Sequence, residues 1–304
     1  MNRSFLAIIN PAAGGGRCGR MAQDALARLR SPSLDIEVAE TTGPGQATTL
    51  ARDAYARGCR RFIAVGGDGT ACEIVNGLLP EAQSSSAEDE RPALGFLPLG
   101  TGNSFLRDFT DRGAEDSAQA IVQGRRRPCD VLRLQHANRD LYFINLLSMG
   151  FAADAAVAAN RYFKPLGQFG YILGVLLCLA RLRRRAFPLR ADDDSEWDRR
   201  RCLFLSFNNS KFTGGKMMIA PQAATDDGLI EYVRWGPVGR LELLANFSRL
   251  FDGSHIRHPQ AARRGVRHIE FQLDAPMDIM VDGETLTLDC RSIDVLPGAM
   301  DVFV

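Results

Sequence analysis

Three short segments rich in glycine and small polar residues each follow a run of apolar residues in the first third of the chain. They are Asn10-Pro11-Ala12-Ala13-Gly14, Gly66-Gly67-Asp68-Gly69-Thr70 and Pro98-Leu99-Gly100-Thr101-Gly102-Asn103. Glycine lets backbone N–H groups approach phosphate oxygens closely, and a helix that starts there adds unpaired donors and a favourable dipole. Tight turns alone would explain the glycines, but not an aspartate between glycines after a buried strand. The pattern therefore predicts a polyphosphate site built mainly from backbone.

Comparison with standard sequence motifs limits the kinds of phosphate site that these loops can form. The one Gly-Lys pair, Gly215-Lys216, lacks both the first glycine and the following Ser or Thr of a Walker A loop. A G-x-G-x-x-G dinucleotide pattern does fit Gly14, Gly16 and Gly19, and two acids lie about 20 residues further on, so a dinucleotide ligand stays open. The H-R-D and D-F-G motifs of protein kinases are absent from the sequence.

The predicted strands and helices around the three loops indicate where the loops lie in the fold. Apolar runs alternate with helical patterns through residues 1–128, which is typical of a three-layer α/β domain with a mainly parallel sheet. Because the carboxyl ends of parallel strands share one edge, we expect the three loops to meet there. From residue 129 strand-like segments follow one another, among them 141–147 and 293–296, which favours an antiparallel β-sandwich. We predict two domains, 1–128 and 129–304.

Composition excludes several classes of protein. The 304 residues carry 37 Lys plus Arg against 36 Asp plus Glu, a net charge of +1, which argues against a nucleic-acid binder that works by bulk electrostatics. Seven cysteines without a C-x-x-C pair indicate buried thiols rather than disulfides or a zinc ribbon. The N-terminus lacks a signal-peptide core, and the longest nonpolar stretch, 169–180, is too short to span a bilayer. We therefore expect a cytoplasmic protein without a transmembrane segment, peripheral at most.

Two later segments complete a set of five that occur in the order found in one enzyme family. They are Ala220-Pro221 with Asp226-Asp227-Gly228-Leu229, and Asp282-Gly283-Glu284. With the three loops, they resemble the motifs of the diacylglycerol kinase and sphingosine kinase catalytic family, including its soluble bacterial lipid kinases. The resemblance covers nearly the whole chain. It implies a NAD-kinase- and diacylglycerol-kinase-like α/β domain, a C-terminal β-sandwich and an active site in the cleft between them.

The resemblance also implies which residues contact ATP. They would be Asn10, Pro11, Gly14, Thr41, Gly66, Gly67, Asp68, Gly69, Thr70, Thr101, Gly102 and Asn103. Asp68 would act near the phosphates, through Mg²⁺. One position departs from the family pattern, because Cys72 stands where Asn or His is common and a thiol is a poorer hydrogen-bonding group.

Two further roles follow from the same resemblance. Glu284 would be the base that takes the proton of the acceptor hydroxyl, and a metal would be held by the carboxylate of Asp227 with the backbone carbonyls of Ala224 and Leu229. Residue types alone leave other interpretations open. Glu284 also fits a surface acid after a hairpin turn, and 226–229 fits a plain β-turn or a purely structural magnesium site.

The sequence motifs that would bind the lipid acceptor are less specific than those for ATP. Gly150-Phe151-Ala152-Ala153-Asp154 is similar to a segment of sphingosine and ceramide kinases, which implies that Asp154 reads the lipid headgroup. The helical stretch 166–182 is apolar nearly all round, as expected either for a wall over an acyl chain or for a buried core helix. Arginines in 181–185 and 199–201 suit anionic lipid headgroups, although such charge runs are more often solvated faces.

Together these observations predict a lipid kinase that transfers the γ-phosphoryl group of ATP, with Mg²⁺, to diacylglycerol or a sphingoid base at a membrane surface. A homodimer is left open. The alternatives are a kinase of a soluble small molecule such as NAD, and an inactive module that binds lipid or nucleotide. Phosphoryl transfer needs backbone donors, carboxylates for magnesium and a carboxylate near the attacking hydroxyl. The presence of both Asp68 and Glu284 therefore favours the enzyme.

Overall fold

The chain folds into two compact units. The computed structural model describes residues 3–29, 31–32, 34–82, 91–137, 139–162 and 168–304. The first unit comprises Met1–Val131 together with Leu296–Val304, and the second comprises Leu132–Val295. The predicted second domain, 129–304, differs from the second unit because the last nine residues lie with the first.

The first unit alternates strands and helices along the chain. Its elements are β1 (Arg3–Ile9), α1 (Arg17–Ala27), β2 (Leu34–Glu40), α2 (Gln46–Ala56), β3 (Arg61–Gly66), α3 (Asp68–Ala82), β4 (Ala93–Pro98), a 3₁₀ turn (Phe105–Asp108) and α4 (Ala114–Gln123).

A parallel sheet forms the centre of this unit. Its strands lie in the order β2-β1-β3-β4, and the end of the chain adds a further parallel strand, where Asp301 and Val302 pair with Ala93 and Leu94. Phe5, Ala7 and Ile9 of β1 pack in one core cluster with residues of α1 and α4. The residues between them, Leu6 and Ile8, point to the opposite face and are buried as well. A parallel sheet buried on both faces is the layered architecture that the sequence predicts.

The second unit consists mostly of short strands. Its elements are β5 (Arg126–His136), which begins in the first unit, β6 (Asp140–Phe143), β7 (Leu146–Gly150), α5 (Phe151–Tyr162), α6 (Gln168–Ala180), β8 (Arg185–Ala186), β9 (Leu189–Ala191), β10 (Arg201–Cys202), β11 (Phe204–Asn208), β12 (Phe212–Thr213), β13 (Met217–Met218), β14 (Ile230–Trp235), α7 (Arg240–Asn246), α8 (Arg249–Asp252), a 3₁₀ turn (Ser254–Arg257), β15 (Ala261–Val266), β16 (His268–Phe271), β17 (Met277–Val281), β18 (Glu284–Leu288) and β19 (Cys290–Phe303), which ends in the first unit.

Two layers of antiparallel sheet share one core in this unit. One sheet has the order β15-β14-β11-β7-β17-β18, and the other contains β9, β16, β19, β5 and β6. Leu147, Phe207 and Ile279 of the first sheet pack in the same cluster as Phe143 and Ile293 of the second. Side chains from two facing sheets in one core define a sandwich, so the predicted C-terminal β-sandwich is confirmed.

Two predicted strands have different bounds in the structure. The expected single strand over 141–147 is two strands, β6 and β7, separated at Ile144 and Asn145. The expected short strand over 293–296 is part of β19, which has 14 residues. Among the described helices, none combines the length and the apolar character needed to cross a bilayer.

Candidate functional site

The carboxyl ends of β1 and β3 are neighbours at one edge of the parallel sheet. The chain leaves β1 toward β2 on one side, whereas β3 and β4 lie on the other, so this edge is the point where the strand order reverses. Backbone hydrogen bonds tie the strand ends together: Asn10 N donates to Val65 O at 3.0 Å, and Thr41 N donates to Ile9 O at 2.8 Å. Open α/β sheets bind ligands at such a switch point.

The first glycine loop leads into α1 through a left-handed turn. Gly14, Gly15 and Gly16 have φ values of 62°, 66° and 82°, a conformation that costs glycine little. A Cβ on Gly14 would lie 2.6 Å from the carbonyl oxygen of Leu99. The guanidinium of Arg17 donates to the oxygens of Leu99 at 3.4 Å and Gly100 at 2.6 Å. The first loop therefore lies directly against the third.

The second loop contacts both of the others. Gly67 and Gly100 are in backbone contact, since a Cβ on Gly100 would lie 2.8 Å from Gly67 N and closer still to its Cα. Asn10 Nδ2 donates to Thr70 Oγ1 at 3.3 Å. Asn103, with a φ of 49°, closes the third loop by donating from Nδ2 to Gly100 O at 3.0 Å. The structure thus brings the three predicted loops together, with Pro11, Gly69, Thr101 and Gly102 among them.

Asp68 is the first residue of α3, at the positive end of the helix dipole. Its carboxylate accepts hydrogen bonds from Ser104 N at 2.9 Å and Phe105 N at 3.4 Å. Burial raises the pKa of Asp68 above the ordinary aspartate value of 3.8, and these bonds oppose the shift only in part. A carboxylate held in this way would gain from a nearby cation.

Glu73 organises the neighbouring loop and was not predicted from the sequence. Its carboxylate accepts hydrogen bonds from Gly45 N at 2.9 Å and Ala47 N at 3.1 Å, and so caps the first turn of α2. The loop that carries Thr41 is therefore fixed to α3. Cys72, the departure from the family pattern, is buried one turn before Asn76, whose Nδ2 donates to the Cys72 carbonyl at 2.8 Å.

Asp282 and Gly283 form the two-residue turn between β17 and β18, and Glu284 is the exposed first residue of β18. Both turn residues have positive φ, 44° and 89°, as a type I′ hairpin requires. The buried Asp282 carboxylate accepts hydrogen bonds from the N–H groups of Ile144 at 3.1 Å, Asn145 at 3.1 Å and Leu146 at 3.0 Å. These bonds hold the break between β6 and β7, and they fix the turn that presents Glu284.

Asp154 lies in the first turn of α5 and forms an ion pair with Arg185, whose guanidinium donates to both carboxylate oxygens. Arg185 belongs to the arginine run 181–185 of the sequence. The predicted headgroup residue therefore already has a cationic partner on its own unit, which the sequence did not indicate.

The predicted second metal site is a loop in the second unit. Asp226 and Asp227 are exposed, and Asp227 Oδ1 accepts a hydrogen bond from Leu229 N at 3.0 Å, which closes a short turn. The carbonyls of Ala224 and Leu229 flank this turn in sequence. No group of three or more His, Cys, Asp or Glu side chains suited to a metal occurs within the described part of the chain.

Two family models together match nearly the whole chain. Residues 4–134 match the family model of the diacylglycerol kinase catalytic domain. Residues 145–304 match that of the YegS C-terminal NAD kinase beta sandwich-like domain. Two solved structures from Bacillus anthracis strain Sterne share the fold: their TM-scores are 0.76 and 0.68, at 23% and 21% identity, and each aligns with 99% of this chain and at least 95% of its own.

Curated relatives agree with these matches. A diacylglycerol kinase from Mycobacterium tuberculosis is 27% identical over 299 residues, covering 97% of this chain and 93% of the relative. A protein from Chromohalobacter salexigens named "Probable lipid kinase YegS-like" is 31% identical, with 91% of this chain and 86% of the relative covered. These findings confirm the predicted resemblance, fold class and enzyme class. The chain belongs to the diacylglycerol kinase catalytic family and is a lipid kinase of that family.

Proposed function

We propose that the protein transfers the γ-phosphoryl group of ATP to a hydroxyl of a lipid of the diacylglycerol or sphingoid-base class. The observation that carries this proposal is the meeting of three glycine-rich loops beside Asp68 at the switch point of the parallel sheet. Backbone N–H groups of these loops, with those of Asp68 and Gly69 at the start of α3, would hold the phosphates, whereas the N–H groups of Thr70 and Ala71 already donate to Gly67 O. An ATP-binding site built in this way from backbone N–H groups needs no Walker lysine.

The donor set around Asp68 fits a magnesium ion that arrives with the nucleotide. Mg²⁺ in phosphoryl-transfer sites is commonly held by one or two carboxylates plus phosphate oxygens, so a single anchored aspartate suffices. When bound, the ion would neutralise charge on the reacting phosphates. Asp227, with the carbonyls of Ala224 and Leu229, is our proposed second magnesium site.

The acceptor groups come from the second unit. The exposed carboxylate of Glu284 would take the proton of the attacking hydroxyl, and Asp282 would keep Glu284 in position through the turn it anchors. Asp154 would bind the polar headgroup of the lipid, with Arg185 holding its carboxylate in place.

The decisive experiment follows label from ATP into lipid. Purified protein is incubated with labelled ATP, Mg²⁺ and both acceptors, a lipid extract and NAD, and the labelled product is identified by mass. Glu284→Gln should reduce turnover about 10²- to 10⁴-fold, because a positioned base is lost while the nucleotide loops are unchanged. Glu115→Gln, an exposed acid on α4, serves as the matched control and should turn over normally.

Three outcomes would contradict the proposal. Near-normal turnover by Glu284→Gln would remove its role as the base. Label in NAD rather than in lipid would indicate a kinase of a soluble small molecule. Binding of ATP or lipid by the wild-type protein with no transfer at all would indicate an inactive binding module.

A further inference from the structure

Helices α7 and α8 carry a row of apolar side chains that point away from the protein. Leu241, Leu244, Phe247 and Phe251 are 83%, 55%, 38% and 47% exposed. The backbone between the two helices stays helical, so spacings of three, three and four residues place the four side chains on one side. The rings of Phe247 and Phe251 are in contact, with centroids 5.9 Å apart. We call these four residues the α7–α8 face.

The opposite side of the same segment already anchors it to the second unit. Leu243 and Leu250 are buried and pack in one cluster with Trp235. The segment therefore has its core contacts without the α7–α8 face. A helical segment that is apolar on both sides is normally covered on both, and a contiguous exposed apolar patch usually marks an interaction surface.

The α7–α8 face continues toward α6. The Arg240 guanidinium, at the first residue of α7, donates to Leu179 O at 3.0 Å and to Ala180 O at 2.9 Å, the last carbonyls of α6. Two residues of α6, Leu173 and Leu176, are exposed as well, at 37% and 52%. Exposed leucines are thus present on both helices that meet at Arg240.

Arginines surround this junction. Arg181, Arg183 and Arg184 are exposed, and Arg184 Nε donates to Val238 O at 2.9 Å, just before α7. Among the residues that the structure describes, neither Arg184 nor Arg240 forms an ion pair with a carboxylate, so both keep a net positive charge.

The acids of the segment are engaged locally. Glu242 accepts hydrogen bonds from Gly239 N at 3.0 Å and lies 3.1 Å from Nε2 of His258. Asp252 accepts a bond from Ser254 N at 2.8 Å. These bonds leave both negative charges in place, but the four arginines at 181, 183, 184 and 240 outnumber Glu242 and Asp252, so the net charge around the α7–α8 face is positive.

We propose that the α7–α8 face inserts into the interface of an anionic lipid bilayer, with the arginines at 181, 183, 184 and 240 against the headgroups. Leucine and phenylalanine beside arginine are the combination that holds helices in a membrane interface. The choice of a bilayer rests on the proposed function, because a lipid kinase must reach a substrate that resides there. A second copy of the chain fits less well, since a symmetric contact would bring two arginine clusters together.

The test uses vesicles that contain no acceptor lipid, so that binding is measured without catalysis. Co-sedimentation with phosphatidylcholine vesicles, with and without phosphatidylglycerol, gives the bound fraction. Phe247→Gln/Phe251→Gln should lower vesicle partitioning about a hundredfold, since each aromatic ring that enters the bilayer interface contributes on the order of one tenfold step. Leu241→Gln, at the most exposed of the four positions, should lower it in the same direction.

Two further pairs of substitutions separate apolar insertion from electrostatic attraction to anionic lipid. Met21→Gln/Val38→Gln changes two exposed apolar residues of the first unit and should bind vesicles as the wild type does. Arg181→Gln/Arg183→Gln should weaken the preference for phosphatidylglycerol, because two of the four arginines are lost, and added salt should weaken it in the wild type.

Phosphorylation of a short-chain, water-soluble acceptor distinguishes docking from catalysis. The Phe247→Gln/Phe251→Gln variant should keep that activity while losing activity on vesicle-borne substrate. Failure of the wild type on the soluble acceptor counts against the proposed function alone. Unchanged vesicle binding by the variant overturns the docking proposal. Dissociation of a wild-type dimer by the same substitutions, without an effect on vesicle binding, overturns it in favour of a second copy.

Discussion

Gly100 and Gly67 show how closely the second and third glycine-rich loops approach each other. A Cβ on Gly100 would collide with the backbone of Gly67, which cannot move aside as a flexible side chain could. Gly100→Ala should therefore separate the second and third loops and weaken ATP binding by at least about tenfold, a difference of about 1.4 kcal/mol. Titration calorimetry with ATP and Mg²⁺ measures the effect. Gly43→Ala is the control, because nothing lies within 4 Å of a Cβ there. Equal affinities for both variants would contradict this account of the site.

Asp282 has a structural task beside Glu284, the proposed base. Replacing it with Ala removes a buried acceptor from three backbone N–H groups, each costly to leave unpaired, so the free energy of unfolding should fall by about 3 kcal/mol or more. Asn tolerates the positive φ and keeps one oxygen, so Asp282→Asn should lie between wild type and Asp282→Ala. Urea unfolding gives the order. An Asp282→Ala variant as stable as the wild type would show that the turn does not depend on these bonds.

At the scale of elements, local patterns indicated the glycine loops and the strands before them. Each loop is contiguous in sequence, and the rule that parallel strands end at one edge was enough to bring them together. The residues that were missed act across the chain. Arg17 reaches carbonyls 82 and 83 residues away, and Glu73 caps a helix that begins 27 residues before it. A single charged residue on a helix gives no local signal of such a partner.

The break between β6 and β7 has the same origin. The residues 141–147 are apolar enough for one strand, and the feature that interrupts them is Asp282, 136 to 138 residues further on. Periodicity within a segment carries no information about an acceptor contributed by a distant turn. The sequence could therefore predict that strands occur here, but not where they divide.

The 3₁₀ turn after α8 makes stability depend on pH. His255 is buried against Trp235, and its Nδ1 lies 3.3 Å from Arg249 O. Burial lowers the pKa of His255 below its ordinary value of 6.5, although the bond to Arg249 and the charge of Asp252 oppose the shift. Below pH 6.5 the unfolded chain then binds a proton that the folded chain resists, so stability should fall with decreasing pH until the folded pKa is reached.

His255→Asn isolates this contribution, because Asn keeps a donor for Arg249 O but does not titrate. Between pH 7.0 and 5.5 the wild type should lose more stability than the variant, by at most about 1.4 kcal/mol per pH unit. Urea unfolding at the two pH values measures the difference. His136, whose pKa is also lowered by burial, acts with the same sign in both proteins and cancels. Parallel pH dependences in the two proteins would exclude His255 as the source.

At the scale of the whole molecule, the chain passes between the two units more than once. β5 starts in the first unit and continues in the second, and β19 returns to the first. The sequence divides the chain at a point where the pattern of elements changes, and a change of pattern cannot reveal that the last residues rejoin the opening domain. The pairing of Asp301 with Ala93 joins positions more than 200 residues apart and is decided by packing, not by local propensity.

The end of β19 should therefore govern the stability of the first unit. Phe303 is buried in the core of that unit, with its ring centroid 5.3 Å from that of Phe5, and Asp301 beside it pairs with Arg91 at 3.4 Å and Arg126 at 3.2 Å. Phe303→Ala removes a large core side chain and should cost about 3 to 5 kcal/mol. That is a large part of the roughly 5 to 15 kcal/mol by which folded proteins are typically more stable than the unfolded chain.

Guanidinium unfolding, followed by ATP binding, measures the loss of stability, because the proposed nucleotide loops lie at the edge of this same sheet. Phe303→Ala should lower the unfolding midpoint and lose ATP binding at denaturant concentrations that the wild type tolerates. Val304→Ala, one residue further and only partly buried, should remain within about 1 kcal/mol of the wild type. If Phe303→Ala retained the wild-type midpoint, the Phe303 side chain would contribute little to the core of the first unit, and the end of β19 would not govern its stability through this residue.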